Sequence, residues 1–302
     1  MTGLRLKGDP ELRALVGTEP GRAEYYAEVM GLVPVAAAGG SVLDLGTGGP
    51  EALALAQAVM SGFGQIPAEV MRGRLGALRV AAAGRVRAAD AAGRILRTGS
   101  GEASVSARRH VHAGFFGLEV LELTHRRFDG SMCPPIRREL FVMGDAVTVL
   151  PYDPLRDRVL LVEQFRVGPL GRGDPLPWQL EAIAGRIDPG ETPEECARRE
   201  AVEEAGLVLG RLEKVADYYP SPGAVTEFVY SFIALCDLPD GVAGIFGQED
   251  EAEDIRGQLV PFDRLMDAVA KGEIGNAPLI LTALWLQRER ARLRSDVSLR
   301  NV

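Results

Sequence analysis

The chain has 302 residues, 46% of them hydrophobic, enough for about two average domains with real cores. It holds no run of roughly eighteen apolar residues, and its opening, MTGLRLKGDPEL, lacks a signal peptide's apolar stretch; no membrane association and a cytoplasmic setting are therefore expected. The net charge of −8 is uneven: residues 1–100 hold 11 of the 34 basic and 9 of the 42 acidic residues, leaving −10 on the remainder, a balance that argues against a nucleic-acid partner and suits a small phosphorylated substrate.

Residues 1–100 are rich in Ala and Gly and poor in catalytic residue types. Patterning predicts helices at Pro10–Val16 and Pro50–Met60, and strands at 75–82 and 94–98. Residues 42–49, VLDLGTGG, resemble the glycine-rich strand-to-loop motif of S-adenosylmethionine methyltransferases. That motif needs a doubly wound sheet of about six or seven strands, and too few residues remain for one, so a strand followed by a glycine turn is expected. Residues 6–17 and 34–44 loosely follow the order of elements in γ-glutamyl-cyclotransferase-like modules, but residues 4–8 read LRLKG where those modules have a Tyr-Gly-Ser-Leu-type opening. The resemblance implies a small α/β accessory module over 1–100 that has lost its own catalysis. A small-polar stretch at 98–106, TGSGEASVS, has linker composition and predicts a boundary, with the second domain at 107–302.

From residue 115 onward the text alternates like strands, at 118–127, Ile136–Val142, 146–152 and 158–166, and again at 214–219 and 227–235. Helices are predicted at 263–271 and 278–294, the latter with Leu281, Leu284 and Trp285 on its apolar face. The three cysteines, Cys133, Cys196 and Cys236, are too scattered for a disulfide framework or a zinc site and read as reduced side chains.

Between these strands lies GRIDPGETPEECARREAVEEAGL, residues 185–207. Residues 193–205 contain no internal Gly or Pro. Thr192 stands at a capping-box spacing from Glu195, and Gly206 falls where a C-cap belongs, so one helix is predicted. On it Glu200, Glu203 and Glu204 share one face and would repel unless a hard divalent cation joined them. A solvated acidic stripe is the plainer reading of such a face. Arg199 points about 100° away from Glu200 and is expected to brace the loop at 185–191 rather than neutralise the carboxylates.

The spacing of Gly185, Glu191, Arg199-Glu200, Glu203-Glu204 and Gly206 resembles the Nudix box of the Nudix hydrolases. The resemblance implies an α+β fold with a mixed sheet sandwiched between helices, and hydrolysis of a nucleoside diphosphate linked to another moiety. It also implies Mg²⁺, or Mn²⁺ in its place, on Glu200 and Glu204, with Glu203 sharing the site and the Ala184 carbonyl offered by the loop. Pro222, sixteen residues beyond Gly206, and the acidic run at 244–256, GIFGQEDEAEDIR, are similar to features of bacterial ADP-ribose pyrophosphatases. So is the order of segments from 115 to 292. A carboxylate on a mobile loop can serve as base only when substrate is bound. Position matching implies Glu251 as base and Glu253 as metal ligand or partner. It further implies Phe115 and Arg138 beside the adenine, Glu139 on the base edge or ribose, and Arg166 at the diphosphate. A homodimer is implied, with the strands at about 113–145 exchanged. The expected reaction is ADP-ribose to AMP and ribose 5-phosphate. Another nucleoside diphosphate sugar, a dinucleotide, or a non-enzymatic ADP-ribose sensor are the alternatives.

Overall fold

The computed structural model describes residues 4–17, 19–38, 40–89, 96, 101–247 and 253–298. By compactness the chain forms two units. One is built from the described residues up to Asp145 together with Asp188–Gly190 and Ser221–Glu227; the other from Ala146–Ile187, Glu191–Pro220 and the described residues from Phe228 onward.

The first unit begins with β1 (Leu4–Lys7), α1 (Pro10–Val16), α2 (Arg22–Met30), β2 (Val35–Ala37) and β3 (Gly40–Asp44). Helices α3 (Pro50–Met60), α4 (Ala68–Gly73) and α5 (Leu75–Ala89) follow. Both expected helices form, α1 opened by Asp9, whose carboxylate accepts from the amides of Glu11 and Leu12. Strands β1, β3 and β2 make a three-stranded sheet in that order. After β3 the chain turns through Gly46 at φ 75°, its amide donating to Asp44 Oδ1 at 2.9 Å, so VLDLGTGG is a strand and a glycine turn.

Residues 75–82, expected as a strand, are helical. The run Val80-Ala81-Ala82-Ala83-Gly84 is buried, and its small side chains combine high helix propensity with a face that lets neighbours approach. Of the strand expected at 94–98, all but Leu96 lies outside the described residues.

The unit continues with β4 (Ala103–Ala113), β5 (Gly117–His125) and β6 (Ile136–Val142), a second three-stranded sheet. Residues 103–106, read as linker, are thus β4, paired with the end of β5. Strand pairing satisfies backbone groups whatever the side chains, which small-polar composition conceals. The buried Glu119 on β5 takes an ion pair from Arg108, and its Oε1 lies 3.5 Å from His110 Nδ1; Nε2 of that ring meets Ser61 Oγ at 3.0 Å. The Ser61 hydroxyl also donates to the Ala58 carbonyl at 2.7 Å, closing the end of α3.

In the second unit come β7 (Ala146–Asp153), β8 (Arg158–Phe165), α6 (Val167–Arg172), β9 (Trp178–Glu181), β10 (Ile183–Arg186) and α7 (Pro193–Ala205). Then follow β11 (Leu212–Tyr218), β12 (Val229–Leu235), β13 (Ile245–Phe246), β14 (Ile255–Pro261), α8 (Phe262–Lys271) and α9 (Ala277–Ser298). The sheet runs β11-β12-β7-β8-β14-β13, with β10 on β7 and β9 on β8; β12 and β7 are parallel and the other pairs antiparallel.

Period-two alternation assigns the two faces. Val147, Val149, Leu160 and Val162 join Cys196, Ala197 and Ala201 of α7 in one core, while Leu150, Tyr152, Val159 and Leu161 join Phe262, Leu265 and α9 in the other. This is the mixed sheet sandwiched between helices. On α9 the buried stripe is Leu279, Ala283, Leu286 and Leu293; Leu281 and Leu284, expected there, are 38% and 48% exposed, and Trp285 is only partly buried. The 3.6-residue period was right and its phase wrong, because several Leu residues offer competing stripes.

Among the described residues, no helix is long and apolar enough to cross a membrane.

Candidate active site

Helix α7 starts where the sequence says it must. Thr192 Oγ1 accepts from the Glu195 amide at 3.2 Å, Glu195 Oε2 accepts from the Thr192 amide at 2.8 Å, and Pro193 fills the first turn. Gly206 ends it in the left-handed region at φ 60°. Ala197, Ala201 and Ala205 are fully or almost fully buried, so the helix lies close on its sheet and sets Glu200 and Glu204 against β10. Gly185 makes that approach possible: a Cβ there would stand 1.8 Å from Glu200 Oε1.

The carboxylates are not equivalent. Glu204 is 3% exposed and accepts from the Ala184 amide at 3.2 Å. Burial pushes its carboxyl up to about 8, with Glu200 and Glu253 adding repulsion and the Ala184 amide and Arg166 opposing it. Burial likewise raises Glu200 to about 7, against the pull of Arg199 and with repulsion from Glu203 and Glu253. Arg199 does what was expected and more. It grips Glu191 through Nε and Nη2 at 3.0 and 3.1 Å and the Arg186 carbonyl at 3.0 Å, yet its Nη1 also reaches Glu200 at 2.7 Å and Glu203 at 3.1 Å. A long side chain with five donors spans directions that Cα geometry separates, so the expectation that it leaves the acidic face alone is corrected.

Among the described residues no group of three His, Cys, Asp or Glu side chains stands ready as a metal cage. The buried Glu204 and the partly buried Glu200, their ionisation opposed beside the Ala184 strand, nevertheless form a hard-oxygen donor set that a divalent cation would complete. Arg199 also supplies countercharge to Glu200, at 2.7 Å.

Arg166, between β8 and α6, donates from Nε and Nη2 to Glu181 Oε2 at 3.0 and 2.6 Å. Glu204 and Glu253 both act electrostatically on Arg166, and Glu253 acts on Glu200 and Glu204 as well, so the structure brings these expected residues together. Glu251 lies outside the described residues.

Four expected binding residues belong to the other compact unit. Phe115 is 69% exposed in the β4–β5 turn, edge-on to Phe116 at 4.8 Å; Arg138 and Glu139 are exposed on β6. Pro222 sits in a turn in which the amides of Ala224 and Val225 donate to the Ser221 carbonyl at 3.2 and 3.1 Å. Glu181 and Asn276 were not singled out from the sequence, although Asn276 stands at an N-cap position just before Ala277-Pro278.

A NUDIX domain model matches residues 143–282. The ADP-ribose pyrophosphatase of Escherichia coli strain K12 is 38% identical over 66% of this chain and 94% of that protein. The ADP-ribose pyrophosphatase of Haemophilus influenzae strain KW20 is 35% identical over 62% of this chain and 86% of that protein. The GDP-mannose pyrophosphatase of Enterobacter sp. strain 638 is 36% identical over 50% of this chain and 78% of that protein. With the box intact on α7 and these relatives matched over most of their length, the chain belongs to the Nudix hydrolases, in the family of the bacterial ADP-ribose pyrophosphatases.

Proposed function

We propose that this hydrolase cleaves the diphosphate of ADP-ribose to AMP and ribose 5-phosphate, in the cytoplasm and as a homodimer. The observation that carries the reading is the pair Glu200 and Glu204, one partly and one fully buried on one face of α7 with their ionisation opposed, Glu204 within electrostatic reach of Arg166. In this reading Glu200, Glu204 and the Ala184 carbonyl would hold Mg²⁺, or Mn²⁺ in its place, with Glu203 sharing the site. A cation bound there would offset diphosphate charge and lower the pKa of a water. Arg166 faces the diphosphate as a permanently charged donor. Glu251 takes the proton of the attacking water, with Glu253 as partner or substitute. Phe115 and Arg138 close on the adenine, where a guanidinium can stack on the base, and Glu139 accepts from the base edge or ribose. Pro222 shapes the loop at the leaving half. Residues 107–302 form the hydrolase portion, with 113–145 exchanged between subunits, and 1–100 form an accessory module.

A second reading, a GDP-sugar as substrate, is favoured by the GDP-mannose pyrophosphatase among the relatives. Incubation of the purified protein with ADP-ribose or GDP-mannose and Mg²⁺, with and without chelator, separates them. Chelator-sensitive AMP and ribose 5-phosphate in equal amounts is the expected result; cleavage of GDP-mannose alone moves the substrate, and tight ADP-ribose binding without turnover makes the protein a sensor.

A further inference from the structure

Arg166 is the expected substrate contact that lies in the second unit. It follows β8 directly, its side chain is 41% exposed, and nothing in its own segment packs it: α6, which begins at the next residue, buries none of its side chains. An arginine so placed has the rotamer freedom of a long side chain to lose when it meets a substrate. That loss is already incurred here. Nε and Nη2 both donate to Oε2 of Glu181, at 3.0 and 2.6 Å, while Nη1 has no protein partner among the described residues.

Glu181 is held in turn. It ends β9, its side chain is 8% exposed, and its second oxygen accepts from Asn276 Nδ2 at 2.9 Å. Asn276 is fixed by the helix it opens, since its Oδ1 accepts from the Leu279 amide at 3.0 Å and its carbonyl from the Ile280 amide at 3.1 Å. Helix α9 is anchored by the fully buried Leu279, Ala283 and Leu286. A rigid helix end therefore holds an amide, the amide holds a carboxylate, and the carboxylate turns one edge of a guanidinium inward and leaves Nη1 without a hydrogen-bond partner among the described residues. A buried carboxylate satisfied by three donors is costly to keep for packing alone, because an apolar residue of similar volume would serve a core as well.

We propose that Glu181, pinned by Asn276 at the start of α9, is a positioning residue that presents the Nη1 edge of Arg166 to the diphosphate of the substrate. The proposal rests on the reading of Arg166 as the diphosphate contact. It makes the C-terminal helix, which carries no residue of the Nudix box, part of the machinery that orients the substrate.

The test is a double-mutant cycle on the full chain with Arg166→Ala, Glu181→Gln and the pair, supported by Asn276→Ser, which keeps a helix-capping oxygen but is too short to donate to Glu181. Each variant's melting temperature is measured, and kcat/KM with Mg²⁺ is taken for ADP-ribose and, in parallel, GDP-mannose. Arg166→Ala is expected to lose roughly 100-fold, and Glu181→Gln and Asn276→Ser about 10-fold each. The double variant is expected to lose no more than Arg166→Ala alone, since Glu181 has nothing to aim once the guanidinium is gone. Losses that multiply in the double variant, or an unchanged rate in a folded Glu181→Gln, overturn the proposal. Cleavage of GDP-mannose but not ADP-ribose, with the same coupling, overturns the substrate assignment and leaves the positioning role standing; cleavage of neither removes both.

Discussion

Replacing Gly185 by Ala tests the geometry of the carboxylate site without touching a charge. The added Cβ would stand 1.8 Å from Oε1, 1.9 Å from Cδ and 2.5 Å from Cγ of Glu200. Ordinary contact begins at 3.4 Å, so the carboxylate must retreat by about 1.6 Å from residue 185, out of the position in which it meets Arg199 at 2.7 Å. Gly185 is not among the positive-φ glycines and the obstacle is the end of a side chain, so backbone strain is small and the reduced freedom of the unfolded chain returns about 0.4–1 kcal/mol. Misplacement by about 1 Å costs on the order of 100-fold in catalysis, which sets the expected loss of kcat/KM at 100-fold or more, with a melting temperature within a few degrees of the parent. Steady-state turnover of ADP-ribose across a Mg²⁺ titration, beside thermal melts, reads both quantities. A folded Gly185→Ala protein with near-parent turnover would show that Glu200 need not stand where the structure has it.

Other substitutions address the rest of the site. Glu200→Gln and Glu204→Gln are each expected to cut turnover by roughly 100-fold or more, as removal of a charge-stabilising group does, and the metal-free Glu204→Gln protein should melt no lower than the parent because a buried acid becomes a neutral amide; a much lower melting temperature would mean that the carboxylate holds the fold together. Glu251→Gln should lower kcat far more than it raises KM, and an unchanged rate beside a collapsed rate in Glu253→Gln would exchange their roles. Away from the site, Asp157 is partly buried, which alone would raise its carboxyl, but hydrogen bonds from Arg290, Tyr152 and Arg294 hold it down at about 2. Its contribution is therefore complete above about pH 4 and lost as pH falls toward 2. Asp157→Asn should lower stability at neutral pH and flatten that acid limb in pH-dependent melts, and an unflattened limb would refute the assignment.

The Nudix box was legible because everything it encodes is local: a capped helix, a glycine where strand and helix meet, and carboxylates three and four residues apart. The sandwich around it was legible for a related reason, since β7 and β8 are near-continuous apolar runs, the mark of strands covered on both faces. What escaped lies in interactions that spacing does not report. Glu181 and Asn276 are 95 residues apart, and neither side of that hydrogen bond marks itself in the text. Arg199 was misjudged because Cα geometry ignores the reach of a guanidinium, and α9 was rotated because Leu281 and Leu284 suited a stripe as well as the residues that are buried. In the first unit α5 was mistaken for a strand because Ala and Gly mark no face strongly, and packing rather than pattern decides such a segment.

The first unit also borrows two short pieces of chain from far along the sequence. One of them completes β6: the Phe141 amide donates to the Ala224 carbonyl at 2.8 Å, the Thr226 amide returns to the Phe141 carbonyl at 3.1 Å, and the Thr226 hydroxyl bonds both polar backbone groups of Met143. A gene fragment ending at Asp145 would lack these partners, and one beginning at Ala146 would carry a loop whose own partners had been cut away. The chain passes between the units at five places, so a single protease nick frees neither. Inheritance of such an arrangement is all or nothing: the N-terminal segment cannot be shuffled onto another enzyme by a simple end-to-end fusion without leaving part of its sheet behind.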